Sequence, residues 1–271
     1  MPELPEVETT CRGIAAHVLG EKIKQVLVRD RRLRWPVISS LEDDLKGKTI
    51  RKIWRRGKYL VLDVEDCHVL LHLGMSGSLR ILYDKHIPGK HDHVDILFNK
   101  GHTLRFRDPR RFGSIHLTHD SPLEHPLLKS LGPEPLSNDL NADYLYQRSR
   151  KRSQSIKSFI MDSHTVVGIG NIYANEALFQ AGIHPLRQAG RISSQRYEKL
   201  VIAIKAVLQQ ALKKGGTTLR DFVNGSGEPG YFRHELQVYE RGNLACFKCR
   251  SAIKTVRQGQ RATYYCPRCQ K

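Results

Sequence analysis

Leu131-Gly132-Pro133-Glu134-Pro135-Leu136 divides this chain of 271 residues into two regimes. Two prolines and a glycine in six residues interrupt any regular element, and the hydrophobic period changes across them. Upstream, one helix opens the chain: Pro5 suits a first turn, Val7, Cys11, Ile14, Ala15 and Val18 recur on one face, and Gly20 stops it. Short β-branched and apolar runs follow at Ile23–Val28, Thr49–Trp54, Tyr59–Val64, Val69–Leu73, Leu79–Leu82, His93–Phe98, Thr103–Phe106 and Ser114–Leu117. Seven or eight strands at this spacing predict an antiparallel β-sandwich. Downstream, Asp143–Arg150, Ile156–Met161, Ile172–Ala181 and Ser193–Lys214 carry the helical period, with Gly182 and Gly215 as stops and Leu200, Ile204, Val207, Leu208 and Leu212 as the inner face of the long helix. The expectation is an α+β chain with domains at 2–131, 132–236 and 237–271.

The 45 lysines and arginines exceed the 27 acids, a net charge of +18. Self-repulsion on that scale points to a polyanionic partner, nucleic acid first and an anionic membrane surface second. No apolar run approaches the roughly 18 residues of a spanning helix, which disfavours a membrane protein. Glu3, Glu6 and Glu8 stand where a signal peptide carries positive charge, so export is not expected and the cysteines should be reduced thiols or metal ligands.

Four of the six cysteines form Cys246-x2-Cys249 and, sixteen residues on, Cys266-x2-Cys269. Two such pairs on knuckle turns, joined by a hairpin, can close a tetrahedron around one zinc ion, and four thiolates leave no open position for chemistry. The expected cofactor is therefore one structural zinc. From Glu240 to Lys271 there are eight lysines and arginines against one acid, a charge that suits a phosphate backbone. Zinc ribbons of this kind also occur in proteins that bind nucleic acid without catalysis.

The N-terminus offers a reaction. Removal of Met1 would make Pro2 a terminal secondary amine, and an α-amino group titrates roughly two to three units below lysine. Such an amine can attack C1′ of a deoxyribose, giving an iminium that withdraws electrons from its neighbours. Glu3 and Glu6 stand beside it, one turn apart, as acid and base candidates. The same residues also serve simply to start a helix and cap its dipole.

These features belong to a longer set: Pro2-Glu-Leu-Pro-Glu-Val-Glu-Thr9, Arg56-Gly-Lys58-Tyr-Leu60, His72-Leu-Gly-Met75-Ser-Gly77, Lys90-His-Asp-His-Val94 and Asp108-Pro-Arg-Arg-Phe-Gly113. Downstream come Gly168-Ile-Gly-Asn-Ile-Tyr173, Ala181-Gly-Ile-His-Pro185, Gly215-Gly-Thr-Thr218, Glu235-Leu-Gln-Val-Tyr239 and Gln260-Arg-Ala-Thr263. From end to end the chain resembles bacterial formamidopyrimidine-DNA glycosylases. The resemblance implies a helix-two-turns-helix DNA-binding domain over 132–236, and a monomer that excises oxidised purines from damaged double-stranded DNA, then cleaves the strand by β,δ-elimination. It implies Pro2 as Schiff-base nucleophile, Glu3 as acid and base at the sugar, and Glu6 as a supporting carboxylate. Lys58 corresponds to a proton donor for the eliminations, and Arg261 to a phosphate-binding residue and δ-elimination proton donor.

An excising enzyme must rotate its target out of the stack and fill the hole. Met75, Arg110 and Phe112 correspond to the family's void-filling triad, and His91, Lys157 and Asn171 to further DNA contacts. Asn171 can cap the helix after Gly168-Ile-Gly170, turning its backbone donors to a phosphate, and 217–231 corresponds to a loop over the flipped base. A bacterial cytoplasmic location, with the nucleoid as place of work, is expected. Two alternatives stay open: an endonuclease VIII-type glycosylase for oxidised pyrimidines, whose opening is typically Pro-Glu-Gly-Pro-Glu, and a non-catalytic zinc-ribbon DNA-binding protein.

Overall fold

Residues 2–83, 87–216 and 235–271 are described by the computed structural model of the chain. They fall into two units, one of residues up to 129 together with 214–216, the other of residues 130–213 together with 235–271. The break after Lys129 falls just ahead of the Gly-Pro stretch at which the hydrophobic period changes.

In the first unit, α1 (Leu4–Val18) is followed by β1 (Ile23–Val28), the short α2 (Leu41–Leu45), β2 (Ile50–Arg56), β3 (Tyr59–Val64), β4 (Cys67–His72), β5 (Ser78–Leu82), β6 (Asp92–Phe98), β7 (Thr103–Arg107), β8 (Ser114–Thr118) and α3 (Pro126–Lys129). Two four-stranded antiparallel sheets result, in the orders β1-β6-β7-β5 and β2-β3-β4-β8. Their facing side chains make one core. Val26, Ile96, Phe98, Leu104 and Phe106 of the first sheet meet Leu60, Leu62, Val69, Leu71 and Ile115 of the second, and Val7, Cys11, Ile14 and Val18 of α1 complete it. The sandwich and the N-terminal helix are those expected.

β2 runs two residues past the expected Trp54 because Arg55 and Arg56 pair with Leu60 and Tyr59, leaving Gly57-Lys58 as a two-residue turn. Helix α2 was not foreseen. Leu41 and Leu45 plug the sandwich beside Val69, Leu71 and Leu104, and five residues carry too little periodicity to be recognised.

The second unit contains α4 (Ala142–Ser149), α5 (Ile156–Met161), α6 (Asn171–Gln180) and α7 (Ser194–Lys213), then the hairpin β9 (Lys254–Gln258) and β10 (Arg261–Tyr265). Asn141 caps α4 by accepting from the Tyr144 N–H, and Ser155 caps α5 by accepting from that of Ser158. Helix α6 closes on a Schellman motif. Gly182, at φ +67°, donates to the Phe179 carbonyl and Ile183 to that of Leu178, a left-handed position that glycine takes without strain. On α7 the buried face is Leu200, Val201, Ile204, Val207, Leu208 and Ala211; Leu212, expected inside, is only half-buried because it lies eight residues past Ile204 at the edge of the stripe.

Helix α6 is buried almost all round, including Asn175 and Glu176. The C-terminal stretch supplies what those polar side chains need. Gln237, Val238 and Tyr239 donate their backbone N–H groups to the Glu176 carboxylate at 2.8–3.0 Å, and Phe179 joins Val238, Cys246, Ile253 and Cys266 in a small core. No helix among the described residues is long and apolar enough to cross a membrane.

Candidate functional site

The chain enters α1 through Pro2 and Glu3, both buried. Glu3 is the N-cap in extended conformation; its N–H donates to Glu6 Oε2 at 2.9 Å, and its own carboxylate accepts from the Glu6 N–H. This reciprocal capping box realises the helix-starting reading of the two acids. It also sets two carboxylates, 2% and 1% exposed, at the positive end of a helix beside Pro2. A side chain at Gly216 would come within 3.0 Å of Glu6 Oε1, so the backbone there closes on the same carboxylate.

Lys58 occupies the β2–β3 turn, which is tied to α1 by Arg55, a residue with no local signal to single it out. The Arg55 guanidinium donates to Glu8 Oε2 and to the Gly57 carbonyl, both at 2.8 Å. Burial pushes the Glu8 carboxyl up, but Arg55 and Arg12 outweigh it and hold the group below its ordinary value. Across the sheet Tyr59 pairs with His72, their rings 4.7 Å apart. His72 Nδ1 accepts from the Gly74 N–H at 3.0 Å. Burial, reinforced by Lys58 and Arg34, lowers the His72 imidazole to about 4, so it is neutral at physiological pH.

The turn after His72 carries Met75, and the loop between β7 and β8 carries Arg110 and Phe112. The structure brings these three residues together. Gly74, at φ +63°, lies so close that a Cβ would stand 2.4 Å from Gly113 N and from the Phe112 carbonyl carbon. Asp108, fully buried, accepts from Ser76 Oγ at 2.8 Å, from the Arg110 N–H at 3.3 Å and from the Gly113 N–H at 2.7 Å, fastening both loops to one carboxylate. Met75 and Phe112 stay 38% and 46% exposed, with the Arg110 guanidinium 4.9 Å over the Phe112 ring. His91 reaches the same edge through its carbonyl, which accepts from the Asp108 N–H.

In the second unit Lys157 is 2% exposed. Its ammonium donates to Thr263 Oγ1 at 2.6 Å and to the Ala262 carbonyl at 3.2 Å, so the side chain holds the hairpin. Asn171 is the first residue of α6 and not its cap: Gly170 holds the cap position in extended conformation, and the Asn171 amide donates to the Ala262 carbonyl at 3.0 Å. Both converge on the residue after Arg261. Arg261 is exposed, and a recess of about 220 Å³ lies between it, Lys157, Ser158, Asp162 and Gln258. The loop expected over the flipped base, 217–231, lies outside the described residues.

The Sγ atoms of Cys246, Cys249, Cys266 and Cys269 lie within 4.8 Å of one another, with Cys249 and Cys266 3.4 Å apart and Cys246 and Cys269 4.0 Å apart. A zinc tetrahedron with Zn–S bonds of about 2.3 Å has edges of about 3.8 Å, so the donor set fits one structural zinc ion and offers no fifth ligand.

The sequence matches three families in succession: the formamidopyrimidine-DNA glycosylase N-terminal domain over residues 1–115, the formamidopyrimidine-DNA glycosylase H2TH domain over 131–223, and the zinc finger found in FPG and IleRS over 244–271. The formamidopyrimidine-DNA glycosylases of Saccharophagus degradans and Stutzerimonas stutzeri are 56% and 55% identical to the chain over 271 residues, covering all of both partners. Among solved structures, the wild-type Lactococcus lactis Fpg with an N7-benzyl-Fapy-dG-containing DNA superposes at a TM-score of 0.92 with 34% identity over the full length of both chains. The same enzyme with DNA containing an abasic site gives 0.93, at 33% identity over 99% of each chain. With three domain matches in register and relatives of this identity along its whole length, the chain belongs to the formamidopyrimidine-DNA glycosylase family.

Proposed function

We propose that this chain is a monomeric bacterial enzyme of the cytoplasm that flips an oxidised purine, 8-oxoguanine or a formamidopyrimidine, out of duplex DNA, excises it and cleaves the strand. The observation that carries this reading is the burial of Pro2 and Glu3 together at the start of α1, on the same unit as the Lys58 turn. Once Met1 is removed, the Pro2 nitrogen attacks C1′: an N–C1′ bond forms, the glycosidic bond breaks with its electron pair leaving on the base, and the proton shed by the Pro2 nitrogen neutralises the departing base. Glu3 delivers a proton to the sugar ring oxygen as the ring opens to the iminium, and its carboxylate returns as a base. Loss of a C2′ proton then expels the 3′ phosphate, and a second elimination expels the 5′ phosphate, leaving a gap with phosphate at both ends. Lys58 and Arg261 serve these eliminations as proton donors, while Glu6 steadies Glu3 through the capping box. Met75, Arg110 and Phe112 fill the emptied stack, with His91, Lys157 and Asn171 at the DNA backbone. Zinc, when bound, supplies no reaction step and holds the ribbon that carries Arg261.

The test is borohydride trapping on duplex containing 8-oxoguanine opposite cytosine. The native chain should give a covalent adduct, and Pro2→Glu, whose bulky second residue leaves Met1 in place, should give none. No adduct from the native chain would leave a DNA-binding protein without catalysis. A second substrate belongs in the same gel, because the Lactococcus lactis Fpg has also been solved with an oxidised-pyrimidine-containing DNA. Faster trapping on the pyrimidine lesion would reverse the substrate assignment.

A further inference from the structure

Three consecutive residues of β10, immediately after Arg261, are each held by side chains of the helices. Ala262 gives its carbonyl to Asn171 and Lys157, Thr263 accepts from Lys157, and the Tyr264 N–H donates to Asn175 Oδ1 at 2.9 Å. The Asn175 amide is fixed at its other end as well, Nδ2 donating to the Asn171 carbonyl at 2.6 Å. Asn175 is 1% exposed, with Oδ1 and Nδ2 both engaged inside the protein, and a buried amide is costly unless paired. Its pairing sets register. One strand residue spans about 3.4 Å and reverses the face of every side chain, so a slip of one residue along α6 would turn Arg261 away.

We infer that Asn175 is a positioning residue for Arg261: by fixing the register of β10 on α6 it holds the guanidinium where a phosphate is met. This rests on the reading of Arg261 as a phosphate contact. The experiment measures affinity of the zinc-loaded full chain for a duplex carrying a tetrahydrofuran abasic-site analogue, across a salt series, with zinc content determined for every sample. Each neutralised phosphate contributes about 0.9 to the slope of log affinity against log salt. Arg261→Ala should lower the slope by about that amount, Asn175→Ala should lower it equally, and the double variant should lower it no further. Asn175→Asp, which keeps the acceptor for Tyr264, should recover most of the loss. If Asn175→Ala loses its zinc, Asn175→Leu, which fills the same space, carries the comparison. A wild-type slope in the zinc-loaded Asn175 variant, or effects that multiply in the double variant, overturns the inference. An unchanged slope in Arg261→Ala alone overturns the phosphate reading beneath it.

Discussion

Removing the Asp108 carboxylate would leave the Ser76 hydroxyl and the Gly113 N–H without their buried acceptor, while the Arg110 N–H keeps Ser76 Oγ at 3.2 Å. Each such orphan costs about 1–3 kcal/mol, so Asp108→Ala should lose at least about 2 kcal/mol in urea unfolding. A loss under 1 kcal/mol would mean that the two loops are held by other contacts. His72 gives a pH signature with a definite sign. Its folded value of about 4 lies below the ordinary 6.5, so between those limits the unfolded chain binds a proton that the folded chain refuses. The stability it contributes is complete above pH 6.5 and is lost as pH falls toward 4, at most about 3 kcal/mol at 1.36 kcal/mol per unit. His116, lowered to about 4 by burial and by His125, acts in the same direction. His72→Gln should flatten this part of the curve and leave the His116 part; equal slopes in variant and parent would contradict the assignment.

Among elements, the zinc hairpin is the one whose folding is conditional. Its small core contains Phe179, Val238, Cys246, Ile253 and Cys266, two of them thiols, and a site of this size draws its folding free energy from metal. Chelation at neutral pH should release the amides of β9, β10 and the knuckles to hydrogen exchange. Exchange should also rise in α6, because Asn175 and Glu176 lose partners; protection of α6 unaffected by chelator would show that its buried polar groups are satisfied without the ribbon. The same elements show what could be read in advance. The start of α5 is legible because Ser155 is a good cap, and the sandwich strands are legible because alternation and turn residues are local signals. The site was less legible. The four cysteines declare themselves by spacing, whereas Pro2 and Glu3 read equally as a helix start until the resemblance singles them out, Asp108 acts on Ser76 across 32 residues and Arg55 on Glu8 across 47. Asn171 was expected as a cap because its residue type favours that position; the preceding glycine took the cap, and the amide was spent on the hairpin instead.

For the whole molecule the net charge of +18 and the proposed division of labour make a joint prediction. The proposed contacts through Lys58 and Arg261 would be electrostatic and sequence-independent, so affinity for duplex should fall steeply with salt. The preference for 8-oxoguanine over guanine should change much less, because it is set where the base is held; anisotropy and single-turnover excision across one salt series compare the two. Selectivity that collapses together with affinity would mean that charge itself discriminates the lesion.

The polar clamp on β10 also has a history in time. Asn175 finds Tyr264 across 89 residues and Lys157 finds Thr263 across 106; at about 5–20 residues per second the helices leave the ribosome roughly 5–20 s before their partners exist. Throughout that interval an amide and an ammonium destined for burial stand hydrated on an unfinished surface. A nascent chain arrested ahead of β10 is therefore an opened helical bundle, vulnerable to cleavage along α6, and the last strand to be synthesised is the one that shuts it.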